Sequence, residues 1–223
     1  MREEIIRLLN NISELYDEFN LQISQTKINL KNKQVKDLDE TLDQDFRYEF
    51  FSYLMYYRLR LNELNLNIVL TPKQKFRVNP DLSKMINFSY RVKRIESTFF
   101  KLERYMQRSI RGRVSINKCL NDLMGHRFII EFDTDLKALE KYVKCLIEES
   151  NIFNIKRIRV IKRDFQKSQH SYKQVHVIYY NDNYSLPWEI QFWRKKDEEA
   201  NLESHKKFKQ NHFELKKRFD SVE

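Results

Sequence analysis

The chain has 223 residues, 41% hydrophobic and 13% aromatic, enough apolar mass to fill a core and to exclude wholesale disorder. Its 42 Lys and Arg against 32 Asp and Glu leave a net charge of +10 with a pI near 9.4, which points to a polyanionic partner: a nucleotide, RNA, DNA or a membrane surface. Two glycines, Gly112 and Gly125, cannot write a Walker or Rossmann phosphate loop, and no apolar run approaches the ~18 residues that cross a bilayer, so the chain reads as soluble and cytoplasmic.

Residues 3–20 carry Ile5, Leu8, Leu9, Ile12, Leu15, Tyr16 and Phe19 at the three-four spacing of an amphipathic helix. A second helix is expected over 43–66, with Phe46, Phe50, Leu54, Tyr57 and Leu61 on one stripe. Pro72 and Pro80 bracket a linker, because each disfavours helix in the residue before it. The chain therefore divides into a helical N-terminal extension, residues 1–80, and a domain over residues 81–223.

A helix over 82–108 sets Lys93, Ser97, Lys101 and Arg104 at i, i+4, i+8 and i+11, within roughly 80° of arc. Ile95, Phe99, Leu102 and Met106 gather on the other side. Three cations and a hydroxyl on one wall suit a polyphosphate; a solvated basic face is the plain alternative. Arg111-Gly-Arg113 closes this helix with Gly112 at the C-cap, and residues 116–124 add a turn or two.

From Gly125 the period changes. His126–Phe132 reads as a strand, Asp133-Thr-Asp135 caps a helix over 135–149, and strands follow at 155–162, 174–180 and 184–193. In the last of these, alternation puts Glu189, Gln191 and Trp193 on one side and Trp188, Ile190 and Phe192 on the other. A basic helix over 197–219 ends the chain. Helices alternating with strands after residue 80 favour an α/β or α+β sheet flanked by helices. Cys119 and Cys145 have no metal-ligand company and read as reduced structural thiols.

Asp122 lies just before the first of these strands and Glu189 opens the last. Two carboxylates on neighbouring strands suit Mg²⁺, which takes few protein ligands and completes its shell with phosphate oxygens and water. Lys93, Lys101, Arg104 and Arg127 would supply the phosphate partners that phosphoryl-type transfer needs.

Four segments then form a pattern: Arg91-x-Lys93-x-x-x-Ser97-x-x-x-Lys101-x-x-Arg104, Asp122-Leu-Met-Gly125-His-Arg127, Tyr172-Lys-Gln-Val-His176 and Glu189-Ile-Gln191. In this order and spacing they resemble the synthetase domain of the RelA/SpoT family, over about residues 85–210. The resemblance implies a nucleotidyltransferase-like fold, a mixed five-stranded sheet flanked by helices. It implies an enzyme that moves the β,γ-pyrophosphate of ATP to the 3′-hydroxyl of GTP or GDP, making (p)ppGpp with Mg²⁺. Arg91 and Arg127 would then flank the adenine, and Lys93, Ser97, Lys101 and Arg104 would grip the triphosphate. Asp122 and Glu189 would hold Mg²⁺, with Glu189 also placed to take the proton of the attacking hydroxyl. Tyr172 would stack on the acceptor base, with Lys173, His176 and Gln191 around the acceptor.

The departures fall on the acceptor side. The family's Asn-Gly-Tyr-Arg-Ser-Leu-His reads His170-Ser-Tyr172-Lys-Gln-Val-His176 here, so a glycine is lost and Lys173 cannot repeat a bidentate arginine contact. Glu-Ile-Gln-Ile-Arg-Thr reads Glu189-Ile-Gln-Phe-Trp-Arg194. Two alternatives to the guanosine-nucleotide acceptor stay open. One is a toxin-type member that pyrophosphorylates the 3′-CCA end of tRNA, which the +10 charge and the basic segment Lys206–Arg218 favour. The other is an inactive RNA- or partner-binding module. All five histidines lie beyond residue 125 and none precedes an Asp, so the His-Asp pair of the family's hydrolase half is missing and synthesis without hydrolysis is expected of a small stand-alone enzyme. His205, in Ser204-His-Lys-Lys-Phe, resembles the family's closing His-Trp-x-Tyr-Lys segment without its tryptophan.

Overall fold

A computed structural model describes residues 1–39, 43–70, 76–107, 111–152, 155–164, 171–180 and 182–206. Helix α1 (Arg2–Gln22) buries Ile5, Leu8, Leu9, Ile12, Leu15, Tyr16 and Phe19, the stripe its spacing predicts. Helix α2 (Gln44–Leu70) buries Phe46, Phe50, Tyr53, Leu54, Tyr57 and Leu61.

The expected helix over 82–108 does not form as one element. Its first half is strand β1 (Ile86–Val92) and only its second half is helix α3 (Ile95–Gln107). The reason lies in the sequence of β1, where Ile86, Phe88, Tyr90 and Val92 alternate with Asn87, Ser89 and Arg91, a period of two that a row of basic residues at helical spacing obscured. Pairing with β2 (Met124–Ile130) satisfies its backbone, antiparallel from Ile86 opposite Ile130 to Val92 opposite Met124.

Between them lies the short helix α4 (Ile116–Cys119), and Gly112 precedes it with φ +69°, its N–H donating to Tyr105 O at 2.9 Å. A Cβ on Gly112 would sit 2.7 Å from the backbone nitrogen of Lys36, so glycine is required there twice over. Helix α5 (Leu136–Glu149) is capped by Asp135, which accepts from Ala138 N at 2.8 Å. Strands β3 (Ile155–Asp164), β4 (Ser171–Tyr179) and β5 (Trp188–Arg194) complete a sheet of order β1-β2-β5-β4-β3, in which only β2 and β5 run parallel. Residues 198–206 are helical. The rest of the helix expected over 197–219, Pro72, His170 and His212 lie outside the described residues.

Strand ends move by a few residues. β2 starts at Met124 rather than His126, β4 at Ser171 rather than Gln174, and β5 at Trp188 rather than Tyr184. Cys119 is buried, Cys145 is half-buried, and neither is in a disulfide. No described helix is long and apolar enough to cross a membrane.

One core joins α1, α2 and the sheet. Trp188 lies edge-to-face on Tyr16 at 4.9 Å, close to Phe19 at 5.6 Å, and its indole N–H donates to Tyr57 Oη at 2.8 Å. Phe128 and Phe192 stack at 4.9 Å across the parallel pair β2–β5. With that side of the sheet filled by carbon, the other side is left for chemistry.

Candidate active site

Strand alternation and register assemble the site. Arg91 of β1 pairs with Gly125 of β2, and Gly125 with Glu189 of β5. In the next row Arg127 pairs with Gln191, and Gln191 with His176 of β4. These side chains share one side of the sheet, opposite Trp188, Ile190 and Phe192, as the alternation of β5 predicts. Gly125 sits at the centre for a steric reason: a Cβ there would lie 3.0 Å from Glu189 Oε1 and 3.4 Å from Glu189 Cγ. The missing side chain is the space in which the Glu189 carboxylate lies.

That carboxylate is buried, at 3% exposure, and held on both oxygens. Gln191 Nε2 donates to Oε1 at 2.8 Å, His176 Nε2 is 2.6 Å from Oε2, and the Arg91 guanidinium stands 3.8 Å from Oε1. Gln191 in turn accepts from Arg127 Nε at 3.2 Å.

Asp122 precedes β2 and receives two lysines. Lys93 Nζ is 2.6 Å from Oδ2 and Lys101 Nζ 2.9 Å from Oδ1, the latter also reaching Asn121 Oδ1 at 3.2 Å. Lys93 is not on the helix as expected but in the link between β1 and α3. There its backbone N–H donates to Leu123 O at 2.8 Å and its carbonyl accepts from the buried Arg58. The row on α3 itself is Ser97, Lys101 and Arg104. Burial alone would raise the Asp122 pKa, but Lys101 and Lys93 outweigh it and hold the group far below the ordinary carboxylate range. Burial likewise works against the Lys101 ammonium; Asp122, helped by Glu189, overcomes it and leaves Lys101 raised. Lys93 ends lowered, chiefly by burial.

Tyr172 lies on β4, not in a loop. Its hydroxyl donates to Gln174 Oε1 at 2.9 Å and meets His205 Nε2 at 3.1 Å. Lys173 leaves β4 on the other side, the side of Val175 and Val177; its backbone N–H and C=O are both bonded to the Asn201 amide at 2.8 Å. Gln174 is not among the sequence's candidates, and Trp193 reads from sequence first as a core or rim aromatic. The parity of Trp193 with Glu189 and Gln191 was the available signal, masked by the general rule that large aromatics fill cores.

Asp122 and Glu189 suit magnesium in kind, since both offer hard carboxylate oxygens. Among the described residues no group of three or more His, Cys, Asp and Glu could hold a metal ion, so any such ion would depend on phosphate oxygens and water for the rest of its shell.

A family model described as "Region found in RelA / SpoT proteins" matches residues 90–212, more than half of the chain. Among solved structures, small alarmone synthetase 2 from Bacillus subtilis is similar at 21% identity over 73% of this chain and 82% of that one, with a TM-score of 0.36. Small alarmone synthetase 1 from the same organism, bound to its product pppGpp, is similar at 19% identity over 75% and 83%, with a TM-score of 0.37. A GTP pyrophosphokinase family protein from Streptococcus pneumoniae is similar at 24% identity over 77% and 84%, also with a TM-score of 0.37. No curated protein matches the chain.

Proposed function

The chain belongs to the RelA/SpoT family, and on that premise we propose that it is a pyrophosphokinase of nucleotidyltransferase-like fold. It would transfer the β,γ-pyrophosphate of ATP to the 3′-hydroxyl of GTP or GDP in the cytoplasm. The observation that supports the reading is the Lys93–Asp122–Lys101 cluster, whose Asp122 lies three residues before Gly125, the partner of Glu189 across the parallel pair β2–β5. In this reading the two lysines serve a polyphosphate, and Asp122 and Glu189 serve what accompanies it.

In this reading Lys93, Ser97, Lys101 and Arg104 bind the triphosphate, and Arg91 and Arg127 present flat guanidinium faces to the adenine. Tyr172 stacks on the acceptor base, with His176 and Gln191 as its polar surroundings. The acceptor 3′-oxygen attacks Pβ, the Pα–O–Pβ bond breaks, and AMP leaves. The hydroxyl proton passes to Glu189, whose buried Oε2 already shares a hydrogen with His176. Asp122 and Glu189 would hold Mg²⁺, which when bound offsets the charge gathering on the transferred phosphates. Lys93 and Lys101 pair with Asp122, so an arriving triphosphate exchanges one anionic partner of the lysines for another.

Purified protein with γ-labelled ATP, Mg²⁺ and one acceptor at a time tests this. Label moved to GDP or GTP, with AMP released, is the expected result. The net charge of +10 supports a second acceptor, so bulk tRNA belongs in the same assay. Label confined to tRNA would replace the nucleotide acceptor. No transfer to any acceptor would overturn the enzyme reading.

A further inference from the structure

Trp193 is fully buried yet lies on the site side of the sheet, and it touches both halves of the site. The Arg127 guanidinium carbon stands 3.7 Å from its ring centroid. Its Nε1–H donates to Gln174 Oε1 at 2.9 Å, the same oxygen that accepts from Tyr172 Oη at 2.9 Å. His205, from the helical residues 198–206, stacks on the indole at 5.9 Å with 25° between planes and meets the Tyr172 hydroxyl at 3.1 Å. Tyr172 itself sets its edge to Trp193 at 5.9 Å.

We propose that Trp193 is a positioning residue that couples the two nucleobase subsites, through Arg127 on the donor side and through Gln174 and Tyr172 on the acceptor side. The proposal rests on the reading of Arg127 and Tyr172 as the base platforms. An arginine free in solvent loses rotamer freedom when it stacks on a base. Here one face of the guanidinium already rests on the indole, so that loss is largely met before the nucleotide arrives. In the reading above, the adenine ring takes the opposite face. On the acceptor side, a single amide oxygen receives the indole N–H and the tyrosine O–H. A shift of the indole therefore moves Tyr172, and the reverse holds. Coupling between two sites is reciprocal, so donor and acceptor should tighten each other by one common factor.

Titration calorimetry with α,β-methylene-ATP and GDP, each alone and in the presence of the other, measures that factor. Wild type should show about fivefold or more. Trp193→Leu should lose about tenfold in donor affinity together with the coupling. Trp193→Phe keeps a ring under Arg127 but has no N–H for Gln174, so it should hold donor affinity within about threefold and still lose the coupling. In wild type, indole emission should change on donor binding; in Trp193→Phe, where only Trp188 remains, that change should vanish. Donor affinity and coupling within about twofold of wild type in a folded Trp193→Leu protein would overturn the proposal. If that variant does not fold, Trp193→Phe decides, and coupling retained in it overturns the proposal equally. Arg127→Ala serves as the separate check: unchanged donor affinity there removes the donor-base platform, and a failure of that premise is distinguished from loss of coupling alone.

Discussion

Lys93 Nζ lies 2.6 Å from Asp122 Oδ2 in a site where the Asp122 side chain is 15% exposed and a second ammonium, of Lys101, holds the other oxygen. One half-buried acid thus balances two half-buried bases. Asp122→Asn should cost about 3 kcal/mol at pH 7, because it leaves two ammonium groups facing each other without a counter-charge. Urea unfolding measures it. The folded pKa of Asp122 lies below its unfolded value, so its contribution is complete above the unfolded pKa near 4 and fades as the pH falls through the folded one. The variant should lose that acid-side decline; an unchanged pH profile would refute the pairing.

Gly125→Ala is a small change at a crowded place. The new methyl would meet Glu189 Oε1 at 3.0 Å, and that carboxylate cannot retreat freely because Gln191 and His176 hold it. A displacement of a few tenths of an ångström should lower kcat/KM by about tenfold or more while stability changes by no more than about 1 kcal/mol. Paired transfer kinetics and thermal melts check both halves.

Glu189→Gln keeps the volume and removes the charge. Transfer should fall at least about a hundredfold with the fold intact, the loss expected when a proton acceptor is silenced. Turnover near that of wild type, with native circular dichroism, would remove Glu189 from the mechanism.

His126 sits on the core side of β2, stacked on Phe88 at 6.2 Å and beside Trp188 at 5.7 Å. Burial lowers its pKa to about 4, with the charge and backbone of Glu189 working weakly the other way. The unfolded chain takes up a proton near pH 6.5 that the folded chain refuses, so stability should fall as the pH drops from 6.5 towards 4. The loss should reach about 3 kcal/mol by pH 4. His126→Phe should flatten this stretch of the curve, read by urea midpoints across the range.

Much of the scaffold is legible in the chain because its periods are clean. Helices α1, α2 and α5 carry unbroken three-four stripes, and Asp135 announces its helix as a cap. β1 was hidden because two patterns overlap there: Lys93 follows the strand by one residue and continues the spacing of Ser97 and Lys101 back across the boundary. The side chains of Asp122 and Glu189 are legible as candidates, but not what holds them. The partners of Glu189 come from β1, β4 and β5, and such contacts depend on register between distant segments. Trp193 was hidden by its type. A tryptophan with 0% exposure ordinarily belongs to a core; its parity with Glu189 and its neighbours Arg127, Gln174 and His205 distinguish it from Trp188.

The aromatic nest around Trp188 bears on how the molecule can be cut. Tyr16, Phe19 and Tyr57, all supplied by the first two helices, wall in an indole that belongs to the same strand as Glu189. A polypeptide begun at residue 81 would bare that ring to water and should clump rather than turn over, so trimming from the front would impair chemistry carried by residues far behind the cut.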